Sequence, residues 1–144
     1  MNATTATRSK GVTVVGILAL VWNLIGVAMC WMQLNMTPEQ LAQLTAQQRE
    51  VYEATPQWLN IVYAVAVAAG VLGAIGLLMR RRWAATLFLI SLLAVLVQMI
   101  AAYLLTPAWS AYGPVGLVMP VIVVVIALLL WRYANKAAAR GALR

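Results

Sequence analysis

Four runs of the chain carry no charged residue: 12–33, 58–79, 83–105 and 115–131. Each approaches the roughly 20 apolar residues that cross a bilayer as a helix. The pattern therefore predicts four transmembrane helices, separated by a loop at 35–57, an arginine elbow at 80–82 and a short turn at 106–114, with a tail at 132–144. Within the runs, small and polar residues recur at alternating steps of three and four. The first run has Gly16, Ala19, Asn23, Gly26, Cys30 and Gln33, and the third has Ala84, Ser91, Ala94, Gln98 and Ala101. The second offers Tyr63, Ala66, Gly70 and Gly73, and the fourth Gly116, Pro120, Val123 and Ala127. Lipid supplies no hydrophobic force between helices, so association relies on close backbone approach at small residues and on interhelical hydrogen bonds. Four seams of one period predict an all-α, left-handed up-down bundle with the seams inward. Pro120 lacks an N–H and crowds the carbonyl of Gly116, which predicts a kink in the fourth helix.

The loop at 35–57 has a helical pattern of its own. Thr37-Pro38-Glu39-Gln40 reads as an N-cap, a proline at the first helical position and a capping-box glutamine, and Thr45 with Gln48 repeats the box. Leu41, Leu44, Val51 and Tyr52 share one face, which predicts an amphipathic helix or helical pair, a lid resting on the outer leaflet or over the bundle mouth.

Charge orients this frame. Arg8, Lys10, Arg80, Arg81, Arg82, Arg132, Lys136, Arg140 and Arg144 fall on one side of the predicted spans, and Arg49 alone falls on the other. All three acidic residues, Glu39, Glu50 and Glu53, share the loop with Arg49. Positive flanks stay in the cytoplasm, so both termini are expected inside and the lid outside. Trp31, Trp58 and Trp109 would mark the outer interface and Trp83 and Trp131 the inner one, while Trp22 falls near the midplane. The basic start resembles a secretory leader. Its apolar run is too long for one and no small-x-small cleavage site follows, so an uncleaved first span is expected.

Composition narrows the chemistry. Apolar residues make up 65% of the chain, too many for a polar shell around a water-soluble core. Histidine is absent and Cys30 is the one cysteine, so no His/Cys metal site, internal disulfide or histidine base is available, and no cofactor is expected. Because the basic residues flank membrane spans, nucleic acid is not an expected partner. No ionisable Asp, Glu, Lys or Arg interrupts a span, which argues against a proton relay or carboxylate-driven antiporter.

Trp22-Asn23-x-x-Gly26, TPEQL (37–41), YEATPQW (52–58), the arginine elbow and SLLAVLVQM (91–99) together resemble a family of small bacterial four-span inner-membrane proteins, some labelled sugar transporters. The resemblance covers about 14–105 and implies a multi-pass protein of the bacterial inner membrane. It carries over no catalytic or binding residues.

The remaining candidates are neutral and polar. Asn23 and Ser91 lie near mid-depth, and Asn60, Tyr63, Gln98 and Tyr103 lie toward the loop side. They read either as interhelical glue or as a small polar pocket under the lid, with donors and acceptors for a neutral polyol or a lipid headgroup. The arginine triplet reads as a topology anchor that also attracts anionic lipid. The leading expectation is a non-catalytic accessory or interaction protein that self-associates or docks a membrane partner. The alternative is a transporter of a small neutral solute or lipid, acting as an oligomer.

Overall fold

A computed structural model describes residues 3–143, with side chains from residue 10 onward. The side chain of Arg8 and all of Arg144, both in the basic count above, lie outside the described residues. Among the described residues seven α-helices follow in order: α1 (Ala3–Leu34), α2 (Pro38–Ala42), α3 (Ala46–Ala54), α4 (Gln57–Leu78), α5 (Trp83–Leu105), α6 (Ala108–Tyr112) and α7 (Val118–Ala139). A 3-10 turn, Pro114–Leu117, leads into α7, and no strand occurs among the described residues. Four of the described segments are long and apolar enough to cross a membrane: Lys10–Leu34, Gln57–Leu78, Trp83–Leu105 and Pro114–Ala139. The protein is an all-α, four-helix membrane protein.

The spans form a curved row. α4 packs along both α1 and α5, and α5 packs along α7, while α1 and α7 share no comparable interface. Small residues make these approaches possible. A Cβ on Gly16 would stand 2.7 Å from the Leu78 side chain, and one on Gly73 would stand 2.9 Å from the Phe88 ring. Both are closer than packed atoms tolerate, so glycine is what lets a large side chain seat on the neighbouring backbone.

The end bearing the arginines, termed the basic end, is the tightly packed one. Val12, Ala74, Leu77, Ala84, Phe88, Ala134 and Leu143 form its core. Both helices that terminate there end in the same way. After α7, the Ala142 N–H donates to Ala137 O and the Gly141 N–H to Ala138 O, a Schellman motif with Gly141 at φ +77°. The turn swings Leu143 back into the core, where it is 2% exposed. α4 repeats the motif, with Arg81 N–H donating to Gly76 O and Arg80 N–H to Leu77 O. Here Arg80 occupies the left-handed position at φ 60°, and its Nη2 donates to Thr13 Oγ1 at 2.8 Å.

At the opposite end, termed the loop end, the lid forms two short helices. Gln40 N–H donates to Thr37 Oγ1 while Thr37 N–H donates to Gln40 Oε1, and Thr45 and Gln48 make the same reciprocal pair. Arg49 folds back so that Nε and Nη2 both donate to the Leu41 carbonyl, tying α3 to the end of α2. Leu41, Leu44, Val51 and Tyr52 are half-buried, and α3 packs on α6, which joins the two loops.

One feature departs from expectation. Pro120 does not kink a continuous helix. The chain is 3-10 as far as Leu117, so Pro120 falls in the first turn of α7, where an N–H would have no intrahelical partner anyway. The segment beyond Trp131 continues α7 to Ala139 before the Leu143 turn.

Candidate functional site

A cavity of about 360 Å³ lies between the four spans in their loop-end half. Its lower part is set by Trp22 and Asn23 of α1, Gly70 of α4, Phe88 and Ser91 of α5 and Leu130 of α7. Its upper part is set by Met29, Tyr63, Gln98, Tyr103 and Met119. Ile25 and Met29 of α1 and Met119 of α7 line it yet are each more than half exposed. The cavity therefore opens sideways as a slot between α1 and α7, the two spans that do not pack along each other.

Side-chain size explains why the gap sits there. At the basic end, Ala84, Ala134 and Ala137 are buried and leave little to separate the helices. The Tyr133 hydroxyl of α7 comes within 3.5 Å of a Cβ position on Gly11 of α1. Toward the loop end the inward positions become Trp, Tyr, Met and Gln, which hold the spans apart.

Of the six polar residues singled out from sequence, five line this cavity: Asn23, Tyr63, Ser91, Gln98 and Tyr103. Asn60 does not. It stands one helical turn above Tyr63 and accepts a hydrogen bond from Gln33 Nε2 at 3.4 Å, which couples α4 to α1 above the lining. Two of the five already serve the bundle. Ser91 Oγ donates across to Ala66 O at 2.8 Å, and Asn23 Nδ2 donates to Ala19 O on its own helix at 2.8 Å. Asn23 Oδ1 meanwhile rests against Gly70, where a Cβ would stand 1.9 Å away. The Tyr63 hydroxyl, the Gln98 amide and the Tyr103 hydroxyl make no hydrogen bond to any described residue. Tyr103 is held by an edge contact with Trp109 at 6.2 Å, and its hydroxyl lies against Gly116, 2.7 Å from where a Cβ would be.

The site thus has an apolar body and a neutral hydrogen-bonding rim, and among the described residues no Asp, Glu, Lys or Arg reaches it. Among the described residues no group of three acidic, cysteine or histidine side chains can hold a metal ion. Cys30 is buried outside the lining, and Glu50 and Glu53 are exposed on α3. Arg80 and Arg82 belong to the basic end, with Arg82 Nε 3.4 Å from Leu143 O.

The apolar lining was not legible beforehand. Met29, Val95, Met99 and Met119 face the cavity, but in a span where almost every residue is apolar no pattern separates them from lipid-facing neighbours. Compared with protein families, curated proteins and solved structures, the chain matches none.

Proposed function

We propose that this protein is a non-catalytic membrane protein that holds a lipid-like molecule in the slot between α1 and α7. The observation that carries this reading is the laterally open, mainly apolar cavity. At about 24 cal/mol per Å³, an empty void of 360 Å³ would cost about 9 kcal/mol, comparable with the whole stability of a domain. Water does not fill apolar cavities. Bilayer hydrocarbon is the material at the slot's open side. A sugar fits this lining poorly, because its hydroxyls would face apolar walls at about 1–3 kcal/mol for each one left unpaired. The basic residues support placing the arginine end in the cytoplasm and the slot in the outer half of the membrane. With the resemblance noted above, that membrane is the bacterial inner membrane.

Native mass spectrometry of the protein extracted in lipid nanodiscs tests the reading. A retained lipid-like mass near one per chain is expected, and Val123→Trp with Ala127→Phe, which fill the slot, should release it. A wild-type protein that carries no such mass, or a filled variant that carries it equally, would defeat the proposal.

The accessory reading has one specific support. α7 packs along α5 alone and is the least buried of the four spans. A second copy or another membrane protein could lay a helix along the slot, and the same extraction would then return a stoichiometric protein partner in place of the lipid.

A further inference from the structure

The three lining groups without a hydrogen-bond partner specify the slot's occupant more narrowly. We infer that the slot selects an uncharged, single-chain amphiphile, its oxygen-bearing head hydrogen-bonded by Tyr63, Gln98 and Tyr103 and its chain directed toward Trp22 and Phe88. This rests on the lipid-binding reading above and goes further in naming the class of molecule and its polarity.

Three observations converge on it. The first is depth. Gln98 stands seven residues inside the end of α5 and Tyr63 six residues inside the start of α4, about 10.5 and 9 Å below the helix ends at 1.5 Å per residue, with Tyr103 about 3 Å below the end of α5. A phosphate-bearing headgroup stays at the water interface and leaves Gln98 and Tyr63 facing its hydrocarbon. A neutral hydroxyl or carbonyl can sink to their level. The second is charge. Among the described residues no basic or acidic side chain reaches the lining, so a charged head drawn into it would be desolvated without a partner. The third is size. A dry cavity of about 150 Å³ holds one benzene ring, and 360 Å³ is a little over twice that, the room of one chain or of one ring with a short tail.

The chemistry of the rim agrees. The Gln98 amide offers two donors and an acceptor, and each tyrosine hydroxyl offers one donor and an acceptor. Together they match the carbonyl and hydroxyl oxygens of a glycerol monoester, a prenol or a quinone head. At the same level, methionine side chains at 29, 99 and 119 supply flexible, polarizable walls that adapt to an occupant.

Three chain-matched photoactivatable probes test the inference: a monoacylglycerol, a lysophosphatidylglycerol and a lysophosphatidylethanolamine. Each is titrated into the full-length protein in phospholipid nanodiscs, and cross-links are mapped by peptide mass. The monoacylglycerol should label α1 and α7 saturably, at a half-saturating concentration at least about 10-fold below either phosphate-bearing probe. Tyr63→Phe, Gln98→Leu and Tyr103→Phe should each raise that concentration about 3- to 10-fold. Gln47→Leu on the exposed lid should not change it, and thermal unfolding confirms that every variant is folded. Equal half-saturation for all three probes would overturn the inference and leave the lipid-binding reading standing. So would a preference for the neutral probe that the three rim variants do not weaken. Absence of saturable labelling of α1 and α7 by every probe would overturn both.

Discussion

Substitution of Gly70 by alanine gives a direct test of the packing that places the cavity. A Cβ at Gly70 would lie 1.9 Å from Asn23 Oδ1 and 2.6 Å from Asn23 Cγ. Asn23 cannot yield freely, because its Nδ2 is bonded to Ala19 O at 2.8 Å. Either the carboxamide leaves that bond or α1 moves off α4, and forcing extra methyl volume into a packed interface costs about 1–3 kcal/mol. Alanine in place of a helical glycine also returns about 1 kcal/mol of backbone propensity. Gly70→Ala should therefore destabilise the wild type by about 0–2 kcal/mol. In an Asn23→Ala background the clash is gone, so the same substitution should stabilise by up to about 1 kcal/mol. The interaction energy between the two sites, about 1–3 kcal/mol, is far above the few tenths expected of independent positions. Reversible unfolding in bicelles, followed across all four members of the double-mutant cycle, measures it. If Gly70→Ala has the same effect in both backgrounds, the contact between α1 and α4 at Asn23 is not as described and the floor of the cavity is misplaced.

Other consequences concern the two ends. Leu143→Ala should cost about 2–5 kcal/mol because the side chain is fully enclosed in the core of the basic end, and Gly141→Ala about 1–2 kcal/mol from its left-handed backbone; unchanged thermal stability in both would contradict the folded-back terminus. Thr37→Ala and Thr45→Ala should each weaken the lid by about 0.5–2 kcal/mol, seen as faster amide exchange in α2 and α3 with the spans unaffected. Exchange that rises equally in all four spans would mean the lid is not a separate unit. In intact cells, a cysteine introduced by Arg81→Cys should resist a membrane-impermeant thiol reagent, and ready labelling would reverse the proposed orientation.

The spans and the lid were legible because each rests on local chemistry. An uncharged run long enough to cross a bilayer reads directly as a helix, and Thr37 with Gln40 or Thr45 with Gln48 satisfies helix-end donors within four residues of chain. The seams were also legible: in lipid, small residues mark where backbones approach, and Gly16, Gly70 and Gly73 do so here. What periodicity withholds is which seams meet. It assigns a face to each helix but no neighbour, so the open side between α1 and α7 had no signature. Asn60 was grouped with the pocket by depth alone. Height along a helix does not fix the angle around it, and Asn60 bonds Gln33 instead. The C-cap at Gly141 with Leu143 was not anticipated, 132–144 being expected only as a tail, and the equivalent turn after α4 places an arginine where glycine is usual.

The contrast between the two ends bears on how a slot could work without dismantling the bundle. Stability is not uniform across a protein, and segments with few buried side chains open first. No residue of α2 or α3 is buried, and their order comes mainly from caps and from Arg49 on Leu41. At the basic end the same four spans are fastened by a continuous core and two Schellman turns. A change of spacing between α1 and α7 at the loop end can therefore be absorbed by the lid and the α6 turn, while the helices stay fixed at their other ends. The Gln33–Asn60 bond ties α1 to α4, and the Ser91–Ala66 bond ties α4 to α5. No corresponding bond among the described residues ties α7 to α1 at that level. At that level α7 is thus held by side-chain packing along α5 alone, while its far end is set in the basic-end core at Ala134.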